Sequence, residues 1–235
     1  MENSGKGEMV RGMFNDIAPT YDRLNHILSF DIDKLWRKRV VRAVRKLGAK
    51  HIMDMATGTG DLAIALTKGI EGSTIYGADF SSEMLAVAKQ KIDQLGLSER
   101  ISLTECNAEN IPLEDESVDA ATIAFGVRNF EHQREALTEI KRTIRKGGHL
   151  IVLEFSNPKC GFVRWCYRLY SHHILPAIGR LVSKHATAYT YLPTSIDQFA
   201  SPEAFTALLE EVGFESVERK SQSMGVAHIY IARKA

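Results

Sequence analysis

From about Lys50 onward the chain alternates two patterns of apolar and polar positions. Short runs rich in apolar and β-branched residues, His51 to Ala56, Thr74 to Phe80, Ile101 to Asn107, Val118 to Phe125 and His149 to Phe155, read as strands. Between them, Asp61 to Lys68, Ser82 to Leu95 and Glu131 to Arg145 carry apolar residues at helical spacing. The last of these closes on Lys146, Gly147 and Gly148, a helix stop ahead of the next strand. Strand and helix in alternation predict a mainly parallel sheet covered by helices on both faces.

Towards the C-terminus, Ser201-Pro202-Glu203 supplies an N-cap, a proline in the first turn and an early acid, so a helix is expected from there to Gly213. Glu215 to Gln222 and Val226 to Arg233 read as two further strands joined only by Ser223, Met224 and Gly225. So short a link makes the pair antiparallel, because a parallel return needs a crossover of about a dozen residues. Ahead of the sheet, Met9 to Ala18 and Pro19 to Gly48 read as two helical pieces, the second with the basic run Lys34 to Arg45, and Ser156 to Ala200 forms a long insert. Ligands of open α/β sheets sit at the carboxyl ends of the strands, so both additions are expected to roof that edge. The organisation expected is one domain over 1–235: a helical lid (1–48), a cofactor-binding core (49–155), a substrate or lid insert (156–200) and a C-terminal helix and hairpin (201–235).

Composition adds mainly exclusions. With 30 Lys and Arg against 29 Asp and Glu, the net charge of +1 marks no nucleic-acid binder, and any electrostatic argument has to be local. Cys106, Cys160 and Cys166 form no C-x-x-C pair and no zinc-ligand spacing, which points to a reduced compartment and no structural metal. No segment is apolar over the roughly 18 residues that a membrane span needs, and the polar start has no signal-peptide run. A cytoplasmic protein is expected.

The segment Asp54-Met55-Ala56-Thr57-Gly58-Thr59-Gly60-Asp61 follows the first strand and opens a helix, where a nucleotide-bearing cofactor would bind. Gly58-x-Gly60-x-x-Ala63 also satisfies the dinucleotide pattern, so the flanking charge has to decide. Asp54 and Asp61 would repel the pyrophosphate of NAD but attract the ammonium and sulfonium of S-adenosylmethionine. Asp54 is the stronger ligand candidate, since a carboxylate closing an apolar strand is costly to bury without a cation; Asp61 is as well explained as a helix N-terminal acid. Asp79, at the end of the second strand, is placed to hold ribose hydroxyls, which suits either cofactor. Asn107 and Ala108 follow the third strand where an adenine edge would lie, and Met84 and Ile111 are positioned either to sandwich it or simply to pack. Seven strands ending in an antiparallel hairpin is the Rossmann-like arrangement of class I S-adenosylmethionine-dependent methyltransferases, whereas dinucleotide dehydrogenases usually keep six parallel strands.

More restricted strings run almost end to end: Tyr21-Asp22-Arg23-Leu24-Asn25, Leu28-Ser29-Phe30, Leu35-Trp36-Arg37, Phe125-Gly126-Val127-Arg128-Asn129, Leu153-Glu154-Phe155-Ser156 and Tyr191-Leu192-Pro193-Thr194-Ser195-Ile196. With these the chain resembles the ubiquinone/menaquinone biosynthesis C-methyltransferase family, on its demethylmenaquinone side. The resemblance implies methyl transfer from S-adenosylmethionine to a ring carbon of demethylmenaquinol, with a polyprenyl methoxybenzoquinol of the ubiquinone path as the alternative. It also implies cofactor contacts from Thr59, Asp79, Asn107 and Ala108, beside Gly58 and Gly60, which the loop itself makes candidates. The chain departs from the family at Asp31, where a glycine is usual, and at Asp33, where a histidine is usual.

Carbon methylation needs an aligned, electron-rich carbon, which a hydroquinol provides once a hydroxyl loses its proton. Arg128, beyond the fourth strand, is the leading candidate to stabilise that developing phenolate. Tyr21, Asp22 and Asn25 in the lid, and His185 with Tyr189 in the insert, are candidates for the base or its orientation, each with capping or packing as the plainer explanation. From Phe155 to Ile196 there is no acid, while Lys159, Arg164, Arg168, Arg180 and Lys184 interleave with aromatic and aliphatic residues. The segment 155–196 is therefore expected either to cover the core or to meet an anionic lipid surface at the inner face of a membrane. The partners expected are a prenylated quinol and that surface, not nucleic acid; a homodimer is left open.

Overall fold

A computed structural model describes residues 5–22, 29, 31–169 and 186–235. Five parallel strands, β1 (His51–Met55), β2 (Thr74–Asp79), β3 (Ile101–Glu105), β4 (Val118–Ala124) and β5 (Ile144–Phe155), join an antiparallel pair, β6 (Phe214–Gln222) and β7 (Ala227–Lys234). They form one sheet in the order β3-β2-β1-β4-β5-β7-β6, with β7 antiparallel to β5 through pairs such as Glu154 opposite His228. The strand order reverses between β1 and β4, and the chain leaves a crevice there at the carboxyl edge.

Side chains alternate across the sheet with period two. Ile52 of β1 and Ile151 and Leu153 of β5 enter one core with Trp36, Val40, Val44, Leu62 and Leu66. Met53 and Met55 of β1 and Leu150 and Val152 of β5 enter the other with Leu137, Ile140, Phe205 and Leu209. Burying each such aliphatic side chain contributes about 1.5–3 kcal/mol. The first face is covered by α2 (Ile32–Lys46), α3 (Asp61–Gly69) and α4 (Ser82–Gln94), the second by α5 (Gln133–Thr143) and α8 (Pro202–Glu211). Capping fixes where α4 and α8 start, since the Ser81 and Ser201 hydroxyls accept from the N–H groups of Met84 and Ala204 at 3.2 Å. An aromatic trio locks α2 to the sheet: the rings of Phe125 and Phe155 stack at 4.4 Å, and Trp36 leans on both.

Two expectations are corrected. The stretch Pro19 to Gly48 is not one helix: Ala18–Thr20 makes a single 3-10 turn, and Asp31, at φ +59°, sets a left-handed break before α2. Lys146 to Gly148 does not stop a helix, because α5 already ends at Thr143 and β5 begins at Ile144. The glycines instead belong to an irregularity in the β4–β5 pairing, where a Cβ on Gly148 would lie 2.6 Å from the Asp119 carbonyl. The insert contributes α6 (Gly161–Leu169) and α7 (Ala186–Gln198), and α1 (Lys6–Ile17) lies across the carboxyl edge against α4 and α7. No described helix is long and apolar enough to cross a membrane.

Candidate active site

A cavity of about 550 Å³ opens at the crevice between β1 and β4. Its floor comes from the strand ends: Met55 closing β1 with Ala56 and Gly58 beyond it, Asp79 closing β2 with Phe80 beyond it, Cys106, Asn107 and Ala108 after β3, and Phe125, Gly126 and Asn129 after β4. Helix α1 supplies the roof through Glu8, Arg11 and Phe14, joined by Tyr21, and Met84 of α4 and Glu131 complete the wall. The floor needs unusual backbone, with Ala56, Gly58 and Phe125 all at φ between +55° and +61°. Gly126 has to be glycine for another reason: a Cβ there would lie 2.5 Å from that of Ala56.

A bulky aromatic residue in the left-handed region costs energy that its surroundings must offset. At Phe125 the surroundings are specific. Its N–H donates to the Leu153 carbonyl at 2.8 Å, and its own carbonyl accepts from Arg128 Nη1. The same Nη1 donates to Glu154 Oε1 at 2.8 Å, and Arg128 Nε donates to the Ser195 hydroxyl of α7 at 3.2 Å. Arg128 is thus a buried clamp behind the cavity wall and not one of the lining residues. The guanidinium expected to face the reacting oxygen is engaged here by Phe125, Glu154 and Ser195. Its neighbour Asn129, which the sequence reading passed over, does line the cavity. Tyr191 Oη donates to Asn129 Oδ1 at 3.1 Å, so the amide nitrogen is the end left for a ligand.

Two buried carboxyls stand near the glycine loop. Asp79 accepts from the Gly58 N–H at 2.8 Å and the Ser81 N–H at 2.9 Å, yet desolvation still pushes it up to about 6. Asp54 is likewise raised by burial to about 6, against the opposing hydrogen bonds of the Thr122 and Thr57 hydroxyls, each 2.7 Å away. Asp54 does not line the cavity; its hydrogen bonds come from hydroxyls, with the charge of Arg37 acting on it as well. Thr59, Gly60 and Asp61 also lie outside the lining. Thr59 donates to Asp22, and Asp61 is held by Lys91 at 2.5 Å, so the loop acids are less exposed to a ligand than the flanking-charge argument assumed. Ile111 packs in the core, whereas Met84 does reach the cavity.

Among the expected residues, Tyr21, Gly58, Asp79, Asn107 and Ala108 therefore meet at one cavity, and Asn25 and His185 lie outside the described residues. A lid over this edge was expected, but the residues it brings were not, since Arg11 reaches Glu105 across 94 positions and no local pattern announces it. Among the described residues, four carboxylates, of Glu8, Asp79, Glu105 and Glu131, stand around the cavity against one guanidinium, of Arg11. That balance suits a cationic ligand and opposes a pyrophosphate, which restores by a different set of acids the choice first argued from Asp54 and Asp61. Residues 2–234 match the family described as the ubiE/COQ5 methyltransferase family.

The chain belongs to this family. The demethylmenaquinone methyltransferase of Thermus thermophilus is 44% identical over 219 residues, which cover 93% of this chain and 98% of that protein. That of Bacteroides fragilis is 38% identical over 233 residues, covering 99% and 95%. A Geobacter sulfurreducens protein called ubiquinone/menaquinone biosynthesis C-methyltransferase UbiE is 40% identical over 230 residues, covering 97% and 90%. Among solved structures, a SAM-dependent methyltransferase from Aquifex aeolicus matches with a TM-score of 0.61 at 19% identity, covering 83% of this chain and 88% of that one. The [4+2]-cyclase SpnF matches with a TM-score of 0.64 at 19% identity, covering 84% and 80%. One fold thus carries two chemistries, and it is the family match that makes this chain an S-adenosylmethionine-dependent methyltransferase.

Proposed function

We propose that this methyltransferase alkylates a ring carbon of demethylmenaquinol, giving menaquinol. The observation that carries the reading is the extent of the likeness to named demethylmenaquinone methyltransferases, which runs through the lid and insert as well as the cofactor core. S-adenosylmethionine, when bound, supplies a sulfonium methyl open to in-line displacement. Asp79 would hold its ribose, Asn107 and Ala108 its adenine edge, and Gly58 would leave room for its backbone approach. The acid-rich wall would hold the positive charge of the cofactor near Tyr21 and Asn129, which would orient the quinol oxygens. Asp22 is a poor base, since both of its oxygens are engaged by Thr59 and Lys91. Asn25 and His185 stay candidates for moving the hydroxyl proton. Arg128 acts by fixing the Phe125–Asn129 loop and the α7 helix in mutual register.

The prenyl tail suggests a lipid surface as the place of encounter. Helix α6 leaves Phe162 and Trp165 largely exposed, at 73% and 63%, and the neighbouring β6–β7 turn presents Met224 at 76%. Two of the cations once expected to serve that surface are engaged elsewhere: Lys159 pairs with Glu203, and Arg164 donates to the Pro158 and Lys159 carbonyls. The contact proposed is therefore more apolar and less salt-sensitive than the sequence suggested.

Incubation with S-adenosylmethionine and either demethylmenaquinol or a polyprenyl methoxybenzoquinol, followed by mass spectrometry, tests the reading. A product one methylene heavier from the first quinol supports it. Product from the second alone transfers the enzyme to the ubiquinone path, and product from neither overturns both.

A further inference from the structure

Beside the cavity, and separate from its lining, a chain of charged groups ties four segments together. Lys91 Nζ of α4 reaches Asp22 Oδ2 at 2.6 Å and Asp61 Oδ1 at 2.5 Å. The other oxygen of Asp22 accepts from the Thr59 hydroxyl, inside the glycine loop. The other oxygen of Asp61 faces Arg37 of α2 at 3.8 Å, and Arg37 pairs with the buried Asp33, which in turn accepts from Ser29 at 2.5 Å. One ammonium is thus the hub that holds a lid carboxylate against a loop carboxylate.

Two neighbours make this hub more than a surface ion pair. Tyr21, the residue before Asp22, lines the cavity and rests edge-on against Phe14 of the α1 roof. Gly58, the residue before Thr59, gives its N–H to Asp79. Without the ammonium, Asp22 and Asp61 would be two carboxylates facing one another, so attraction becomes repulsion between the segment that carries Tyr21 and the loop that carries Gly58. We infer that Lys91, through Asp22, is a positioning residue that couples occupancy of the cofactor loop to closure of the Tyr21 segment, so that the quinol wall is completed only when the cofactor side is in place. The inference rests on the methyltransferase reading of the cavity but not on which quinol is methylated.

The coupling is reciprocal, and couplings of this kind typically amount to a factor of 5–150. Backbone hydrogen exchange at Ala18 to Asp22, measured with and without S-adenosylhomocysteine, reads it without any quinol. In the unaltered chain the ligand should slow exchange there by about tenfold. Lys91→Ala should abolish that ligand-dependent slowing, and Lys91→Arg should restore most of it. In turnover, Lys91→Ala should raise the quinol KM more than it raises the cofactor KM. Ligand-dependent slowing that survives in Lys91→Ala, or that is absent from the unaltered chain, overturns the inference. So does a Lys91→Ala protein whose only change is a lower melting temperature. Should Lys91→Ala not fold, Asp22→Asn keeps an oxygen for Thr59 while giving up the charge, and is read in the same way.

Discussion

The clearest single-residue tension is Asp54, a carboxyl fully inside the fold whose hydrogen bonds come from hydroxyls. Its folded pKa of about 6 stands above the ordinary 3.8, so the stability it contributes is complete below pH 3.8 and is lost as pH rises through about 6. Asp54→Asn should therefore raise the stability of the unliganded protein by about 1–3 kcal/mol at pH 8, with the gain shrinking towards pH 4. Because a cationic cofactor would offset the same buried charge, the substitution should also weaken binding of S-adenosylmethionine, more than that of its uncharged thioether product, and melting curves beside calorimetry check both halves. No loss of affinity would leave Asp54 a purely structural residue. Arg128 is the opposite case, a buried charge fully matched by Glu154. Arg128→Ala should cost about 3–5 kcal/mol by stranding that carboxylate, and adding Glu154→Gln should return part of it. Denaturant titration of the single and double variants decides whether the pair behaves as such a unit.

At the scale of elements, most of the sheet was legible because side-chain period two and helical period 3.6 are local properties of the chain. Ile52 against Met53, or Ile151 against Val152, need nothing distant to be assigned to opposite faces. Two errors show what the pattern misses. Gly147 and Gly148 carry a helix-stop composition, yet their place is set by β4, whose Asp119 carbonyl comes too close for a Cβ. Asp31 gave no break signal because the left-handed turn it occupies is usually announced by glycine or asparagine. Asp31→Gly should therefore be tolerated or mildly stabilising, by up to about 1 kcal/mol, less the small loss of the Lys34 pair. A melting temperature lowered by several degrees would show that the side chain is needed there. The site divided along the same line: the loop residues Gly58, Asp79, Asn107 and Ala108 follow strand ends and were found, whereas Glu8, Arg11 and Glu131 arrive from distant segments and were not.

On the scale of the whole molecule, the three most exposed large apolar side chains among the described residues are Met224, Phe162 and Trp165, on two neighbouring elements. Phe162, Trp165 and Leu169 belong to α6, and Met224 lies in a turn whose Gly225 stands 3.5 Å, measured from its would-be Cβ, from the Pro158 backbone. Liposome co-sedimentation should thus show binding that survives moderate salt and falls sharply in a Phe162→Ser, Trp165→Ser variant, with methylation of a short-tailed quinol unaffected. Equal, negligible sedimentation of both proteins removes the lipid contact and leaves the chemistry standing.

The aromatic trio that fastens α2 to the sheet also makes the protein its own reporter. There are only two tryptophans, one of which, Trp36, is 3% exposed against Phe125 and Phe155, while Trp165 is 63% exposed. An indole in an apolar cage emits to the blue and escapes acrylamide, and an indole in water emits to the red and is quenched. Phe125 is shared between the cage and the cavity wall, so a ligand entering the cavity should alter the blue, unquenched component. Vesicles should alter the red one. Two binding events at opposite ends of the substrate would then be separable by colour in a single unlabelled sample.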